Sequence, residues 1–104
     1  MEISIEDFHH KVETGDFDYW VDVRTKEEFA AVRPDCVLVK NHPLDQIDSL
    51  DLPKDAVIYL SCRSGARSGQ AQRFLMQKGY THVTNVMGGI MAWEAAGYPV
   101  IKGE

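Results

Sequence analysis

Ala56-Val57-Ile58-Tyr59-Leu60 is an unbroken apolar run, and it restricts the folds open to this chain. A strand with one wet face alternates apolar and polar residues. A continuous run marks a strand buried on both faces, as in a parallel sheet covered by helices. Tyr19-Trp20-Val21-Asp22-Val23 reads in the same way. Cys36-Val37-Leu38-Val39 and Val83-Thr84-Asn85-Val86 read as shorter strands.

Helical patterns fill the intervals. Ser4 caps a first helix, with Asp7 three residues on, Ile5, Phe8 and Val12 on one face and Gly15 as the stop. Thr25 and Glu28 form a capping box for a helix from Lys26 to about Ala31, and Pro34 ends it. Leu44, Ile47 and Leu50 keep helical spacing up to Pro53. Ala71, Phe74 and Leu75 form the inner face of a helix that runs to about Lys78, where Gly79-Tyr80 makes a Schellman stop. Gly88-Gly89 opens a last helix, with Ile90, Met91 and Trp93 expected in the core and Gly97 closing it. Strands alternating with helices give the α/β class: an open parallel sheet with helices on both faces and right-handed crossovers. In such sheets the ligand site lies beyond the carboxyl ends of the strands.

At 104 residues the chain is expected to form one domain over residues 1–104. A net charge of -5 argues against nonspecific nucleic-acid binding, which needs a basic surface. No run approaches the roughly 18 apolar residues of a membrane span. The acidic start, Met1-Glu2-Ile3-Ser4-Ile5-Glu6-Asp7, has no apolar core of a secretory signal. A cytoplasmic location is therefore expected, where thiols stay reduced. Cys36 and Cys62 are too few for a disulfide framework or a structural zinc site, so no metal and no cofactor is expected. Cys36 is expected to be a buried strand residue, and His9 and His10 to be solvated helix residues.

Cys62 sits where the apolar run ends, and the residues after it are unusual for the cap of a hydrophobic core: Arg63, Ser64, Gly65, Ala66, Arg67 and Ser68. A free thiol has a reference pKa of about 8.5, and a helix N-terminus with nearby arginines lowers it. Gly65 permits the positive φ that turns successive N–H groups inward as an anion nest. Ser64 and Ser68 add hydroxyl donors. The reading is a nucleophilic thiolate in a cup that holds an anion.

Cys62-Arg63-Ser64-Gly65-Ala66-Arg67-Ser68 resembles the active-site loop of the rhodanese-like sulfurtransferases. Two further stretches are similar to that family's signatures: Asp22-Val23-Arg24-Thr25-Lys26-Glu27-Glu28-Phe29, and Asn85 to Trp93 followed by Gly97-Tyr98-Pro99-Val100. The resemblance spans nearly the whole chain and implies a parallel sheet of about five strands. It implies that Cys62 takes the outer sulfur of thiosulfate or a similar small anionic donor and becomes a persulfide. A thiophilic acceptor (cyanide, a thiol or a protein) then removes that sulfur. By the same resemblance Arg63, Ser64, Gly65, Ala66, Arg67 and Ser68 bind substrate, with Arg67 stabilising the persulfide and Arg63 at the pocket mouth. Asp22 and Arg24 support the loop or stabilise the strand end. Glu28 is read as a capping acid.

Cysteine-type protein phosphatases are less similar, because their loop holds one more residue between Cys and Arg than the four found here. Ala31 to Cys36 and Asn41-His42-Pro43-Leu44 depart from the family's pattern, so the donor preference does not carry over. The alternatives are a persulfide relay to a sulfur-acceptor protein and a noncatalytic binding module. The intact Cys62 and its basic loop stand against the second.

Overall fold

The computed structural model describes residues 1–103. Its main sheet has five parallel strands in the order β1 (Glu2–Ile3), β6 (His82–Val86), β5 (Val57–Ser61), β2 (Tyr19–Asp22), β4 (Val39–Asn41). The unbroken apolar run is its central strand, as expected for a strand covered on both sides. Helix α3 (Ala66–Gln77) and a 3-10 turn, Leu44–Ser49, cover one face, over Val21, Ile58, Leu60, Ala71 and Leu75. Helices α1 (Ile5–Thr14) and α4 (Gly89–Ala95) cover the other, over Phe8, Trp20, Tyr59, Ile90 and Trp93. Phe8 meets Trp20 edge to face at 4.7 Å between ring centres.

The helix ends follow the chemistry of their caps. Ser4 Oγ accepts the Asp7 N–H at 3.2 Å, and Gly15 is left-handed at φ 68°. Thr25 and Glu28 form the full capping box on α2 (Lys26–Ala31). Gly79 and Tyr80 donate to the Met76 and Leu75 carbonyls, as a Schellman stop requires.

Three short strands carry no period to read. They are β1, β3 (Val32–Pro34) and β7 (Val100–Lys102), the last two forming an antiparallel pair apart from the main sheet. Two expectations are corrected there. Pro34 does not terminate α2, which stops at Ala31; it lies in β3, on a two-stranded ribbon where a missing N–H is tolerated. The strand expected over Cys36–Val39 begins only at Val39. Cys36 is half-buried in the preceding turn and Val37 is 90% exposed, because the chain is still leaving the β3–β7 ribbon. A third correction concerns Met91, which is half-exposed rather than part of the core.

The parity of β5 decides what the site looks like. Ile58 and Leu60 face α3, and so does Cys62, two residues on. Ser61 faces the opposite side, where it accepts the Trp20 indole N–H at 2.9 Å. Leu60 is fully buried behind the site, so Leu60→Ala is expected to lower stability by about 2–5 kcal/mol in chemical denaturation.

Candidate active site

Cys62 is buried at the carboxyl end of β5, and its loop closes around its sulfur. The Gly65 N–H donates to Sγ at 3.1 Å, and the Ser68 hydroxyl lies 3.4 Å from it. Gly65 holds φ at 109°, the left-handed conformation that aims its N–H inward. Burial alone would raise the Cys62 pKa. The Ser68 hydroxyl and the N–H groups of Ser68, Gly65 and Ser64 outweigh it, and the net shift is downward.

The loop is held from outside by its carbonyls. Ile90 and Met91, in the first turn of α4, donate to the Cys62 and Arg63 carbonyls at 2.9 and 3.1 Å. The Gly65 carbonyl accepts from Gly69 at 3.0 Å and from Asn85 Nδ2 at 3.1 Å. Helix α4 approaches so closely that a Cβ on Gly89 would collide with the Cys62 carbonyl. Gly89 also holds φ at 51°.

The two loop arginines differ. Arg67 is half-buried and makes a bidentate pair with Glu28, Nη1 to Oε1 at 2.6 Å and Nη2 to Oε2 at 2.8 Å. That fork raises the Arg67 pKa and holds the Glu28 carboxyl at about 2. Glu28 is thus both the capping acid of α2 and the anchor of the loop's second arginine. Arg63 is exposed and has no carboxylate partner among the described residues. It borders a cleft of about 390 Å³ shared with Arg24, Glu28, Val32, Met91 and Glu94. The atypical stretch after α2 therefore forms one wall of that cleft, through Ala31 and Val32.

Asp22 and Arg24 pair with each other, not with a loop arginine. Asp22 Oδ1 accepts the Arg24 N–H at 2.9 Å and Nε at 3.0 Å. Arg24 then donates to the Val32 carbonyl at 2.8 Å and the Glu28 carbonyl at 3.3 Å, linking β2 to the end of α2. Burial pushes the Asp22 carboxyl up, against the pull of Arg24 and Ser61. The pair reaches the loop through Ser61, whose hydroxyl lies 3.4 Å from Asp22 Oδ2, and through Glu28, whose carbonyl accepts from Arg24 while its carboxylate holds Arg67.

Of the expected site residues, Cys62, Gly65 and Ser68 converge on one point, with the Ser64 N–H turned toward it. Ala66 opens α3 with an exposed side chain. Two residues given no separate role in the sequence reading also belong here, Asn85 and Gly89. An amide between two valine positions at the carboxyl end of β6 (His82–Val86) was the available signal for the first, and the structure buries it.

Comparison with known proteins places the chain in a family. The model of the rhodanese-like domain matches residues 4–96. The chain belongs to the rhodanese-like family. A sulfurtransferase of Allochromatium vinosum is 39% identical over 104 residues, 99% of this chain and 96% of that protein. The adenylyltransferase and sulfurtransferase uba4 of Ogataea parapolymorpha is 38% identical over 76 residues, 72% of this chain but 20% of its own length. A rhodanese-like domain protein from Staphylococcus aureus, solved by crystallography, is 32% identical, with a TM-score of 0.79 over 89% of this chain and 91% of that one. A rhodanese-like domain from Anabaena has the same fold, with a TM-score of 0.85 at 24% identity over 97% of this chain and 78% of that one.

Two outcomes test this arrangement. Gly89→Ala places a Cβ against backbone in a left-handed residue, so a loss of at least about 2 kcal/mol in denaturation is expected. The Glu28 carboxyl is held low, so its pairing stabilises above its unfolded pKa and is lost as pH falls from about 5 toward 2. Both partners are one-third exposed, which limits the gain to on the order of 1 kcal/mol. Comparing Glu28→Gln with the native chain across acid denaturation curves is expected to show that difference vanish at the low end.

Proposed function

We propose that this protein is a sulfurtransferase that carries sulfane sulfur as a persulfide on Cys62. One observation supports the reading above the others: a buried sulfur that receives the Gly65 N–H at 3.1 Å, in a chain of the rhodanese-like family. The Cys62 thiolate attacks the outer sulfur of thiosulfate or a similar anionic donor. The Sγ–S bond forms, the donor's S–S bond breaks, and sulfite leaves with the electron pair. An acceptor nucleophile then takes the outer sulfur and returns the thiolate. Cyanide serves as acceptor in an assay, and a thiol or a protein thiol serves in a cell.

Each loop residue has a part in this reading. Backbone N–H groups of Ser64, Gly65 and Ser68 stabilise the sulfur anion, because fixed dipoles need no rearrangement as charge develops. Arg63 draws the anionic donor to the cleft. Arg67 is neutralised by Glu28, so it shapes the cup more than it charges it. Ala66 starts the helix whose N-terminus faces the sulfur, and Asp22 with Arg24 braces the strand end beneath. A reducing, cytoplasmic setting suits a free thiol of this kind.

A second observation favours a protein as the physiological acceptor. Met87 and Met91 are each about half-exposed. The Met91 N–H donates to the Arg63 carbonyl, and Met87 precedes Gly88, which lies against Gly65. Methionine adapts to varied partner surfaces. Comparing turnover with cyanide, small thiols and thiol-bearing proteins separates an enzyme of small molecules from a relay.

Intact mass spectrometry after incubation with thiosulfate or polysulfide is expected to show about 32 Da added to the chain, through a covalent intermediate. Cys62→Ser is expected to abolish the adduct and keep the fold. Absence of the adduct with every sulfane donor rules the reading out.

A further inference from the structure

Ser68 has one hydroxyl proton and three acceptors near it. Its Oγ lies 2.5 Å from Asn85 Oδ1, 3.3 Å from the Gly65 carbonyl oxygen and 3.4 Å from Cys62 Sγ, and Ser68, Asn85 and Cys62 are buried. The Gly65 carbonyl already accepts from Gly69 and from Asn85 Nδ2, so the contest for the proton lies between Asn85 and the sulfur. The Asn85 amide cannot be turned round. Its Nδ2 donates to the Gly65 carbonyl at 3.1 Å, and a carbonyl only accepts. Oδ1 therefore faces Ser68 and brings no proton of its own. With the hydroxyl donated to Asn85, Ser68 shows a lone pair to the sulfur, and a thiol can donate its S–H there. A thiolate instead requires the hydroxyl to swing toward Sγ, which leaves Asn85 Oδ1 a buried acceptor facing oxygen lone pairs.

We propose that Asn85 is a positioning residue that opposes the bare Cys62 thiolate through Ser68, and so favours the sulfur-loaded site. This rests on the persulfide reading above. Once Sγ carries a second sulfur, the negative charge sits on the outer atom, in reach of the loop N–H groups. Sγ no longer needs the hydroxyl, and Ser68 returns its proton to Asn85. Of the three states (thiol, thiolate, persulfide), only the thiolate leaves the pair unsatisfied.

The charged groups around the sulfur are few. Arg67 of α3 is held by Glu28 of α2, Arg63 of the loop is exposed, and Asp22 of β2 is paired with Arg24. Arg73 of α3 approaches Gly69, and Glu94 of α4 lies across the cleft. None of them hydrogen-bonds Ser68 Oγ or Asn85. The Gly65 carbonyl also keeps its bond from Gly69 when Asn85 is shortened.

The test is the Cys62 titration, read as the pH dependence of iodoacetamide alkylation, in the native chain, Asn85→Ala, Ser68→Ala and the double variant. Asn85→Ala is expected to lower the midpoint by roughly half to one pH unit, a three- to tenfold gain in thiolate below it. Ser68→Ala is expected to raise the midpoint, and Asn85→Ala to add nothing in that background. A midpoint unmoved or raised by Asn85→Ala, or the same shift with and without Ser68, overturns the proposal. A purely structural asparagine would change stability without this coupling.

Loading gives the second measurement. At fixed thiosulfate and sulfite, and at a pH well above the Cys62 midpoint so that the unloaded site is thiolate, the ratio of persulfide to unloaded chain in Asn85→Ala is expected to fall by the same factor; equal loading there overturns the proposal. A native chain that never loads sulfur removes the persulfide reading instead, a different result. Should Asn85→Ala not fold, Asn85→Asp keeps the shape and the acceptor. It is expected to raise the midpoint more with Ser68 present than in Ser68→Ala, and an equal rise in both backgrounds overturns the proposal.

Discussion

The site depends on where the loop's carbonyls go. Cys62 and Arg63 give theirs to the first turn of α4, and Gly65 gives its own to Asn85 and Gly69. Each peptide unit is a dipole, so tying a carbonyl outward aims the neighbouring N–H inward. The result is an anion nest with the sulfur at its centre. A side chain at Gly89 would push α4 away from the Cys62 carbonyl and undo that arrangement. The proposed chemistry therefore rests on a contact between two backbones, one of which carries no reacting atom.

The sheet supplies the other half of the geometry. Because side chains alternate along β5, Cys62 and Ser61 point to opposite faces. Ser61 is anchored to Trp20 and lies near Asp22, in the aromatic layer beneath α1 and α4. Asp22 and Arg24 are almost wholly buried and are joined by hydrogen bonds to each other and to neighbouring carbonyls. A buried ion pair of this kind adds little net stability over an apolar pair of similar size, but losing one partner strands the other charge. Its effect here is positional. It fixes the end of β2 beside the end of β5 and carries the chain into α2, where Glu28 waits for Arg67.

What the sequence showed and hid follows from the range of each interaction. The Ser4 cap, the Thr25-Glu28 capping box, the Schellman stop at Gly79-Tyr80 and the Cys62 loop are local, set by residues within a few positions, and were legible. So were the parallel sheet and its central strand, because a run with no alternation permits few packings. The strands β1, β3 and β7 are two or three residues long, too short for a period, and Cys36–Val39 looked like a strand because apolar composition cannot reveal a turn. Arg67 meets Glu28 across 39 residues, and Ser68 meets Asn85 across 17. Such pairs are decided by strand order, which composition does not state.

The net charge of -5 and the proposed anion site are compatible for a physical reason. The cup does not rely on net positive charge. Its one half-buried arginine is matched by a glutamate, and the remaining attraction comes from N–H dipoles at short range. Dipole fields fall off faster with distance than those of a charge, so they act on an atom already seated in the loop and scarcely on one outside it. Arg63, exposed and without a carboxylate partner among the described residues, carries a full charge whose field reaches further. The two ranges divide the labour in the proposed reaction: a full charge at the cleft gathers the donor, and fixed dipoles around Cys62 hold whichever sulfur bears the electron pair. A lysine or arginine placed against the sulfur would merge these tasks, because a full charge there would attract the departing sulfite as well as the persulfide.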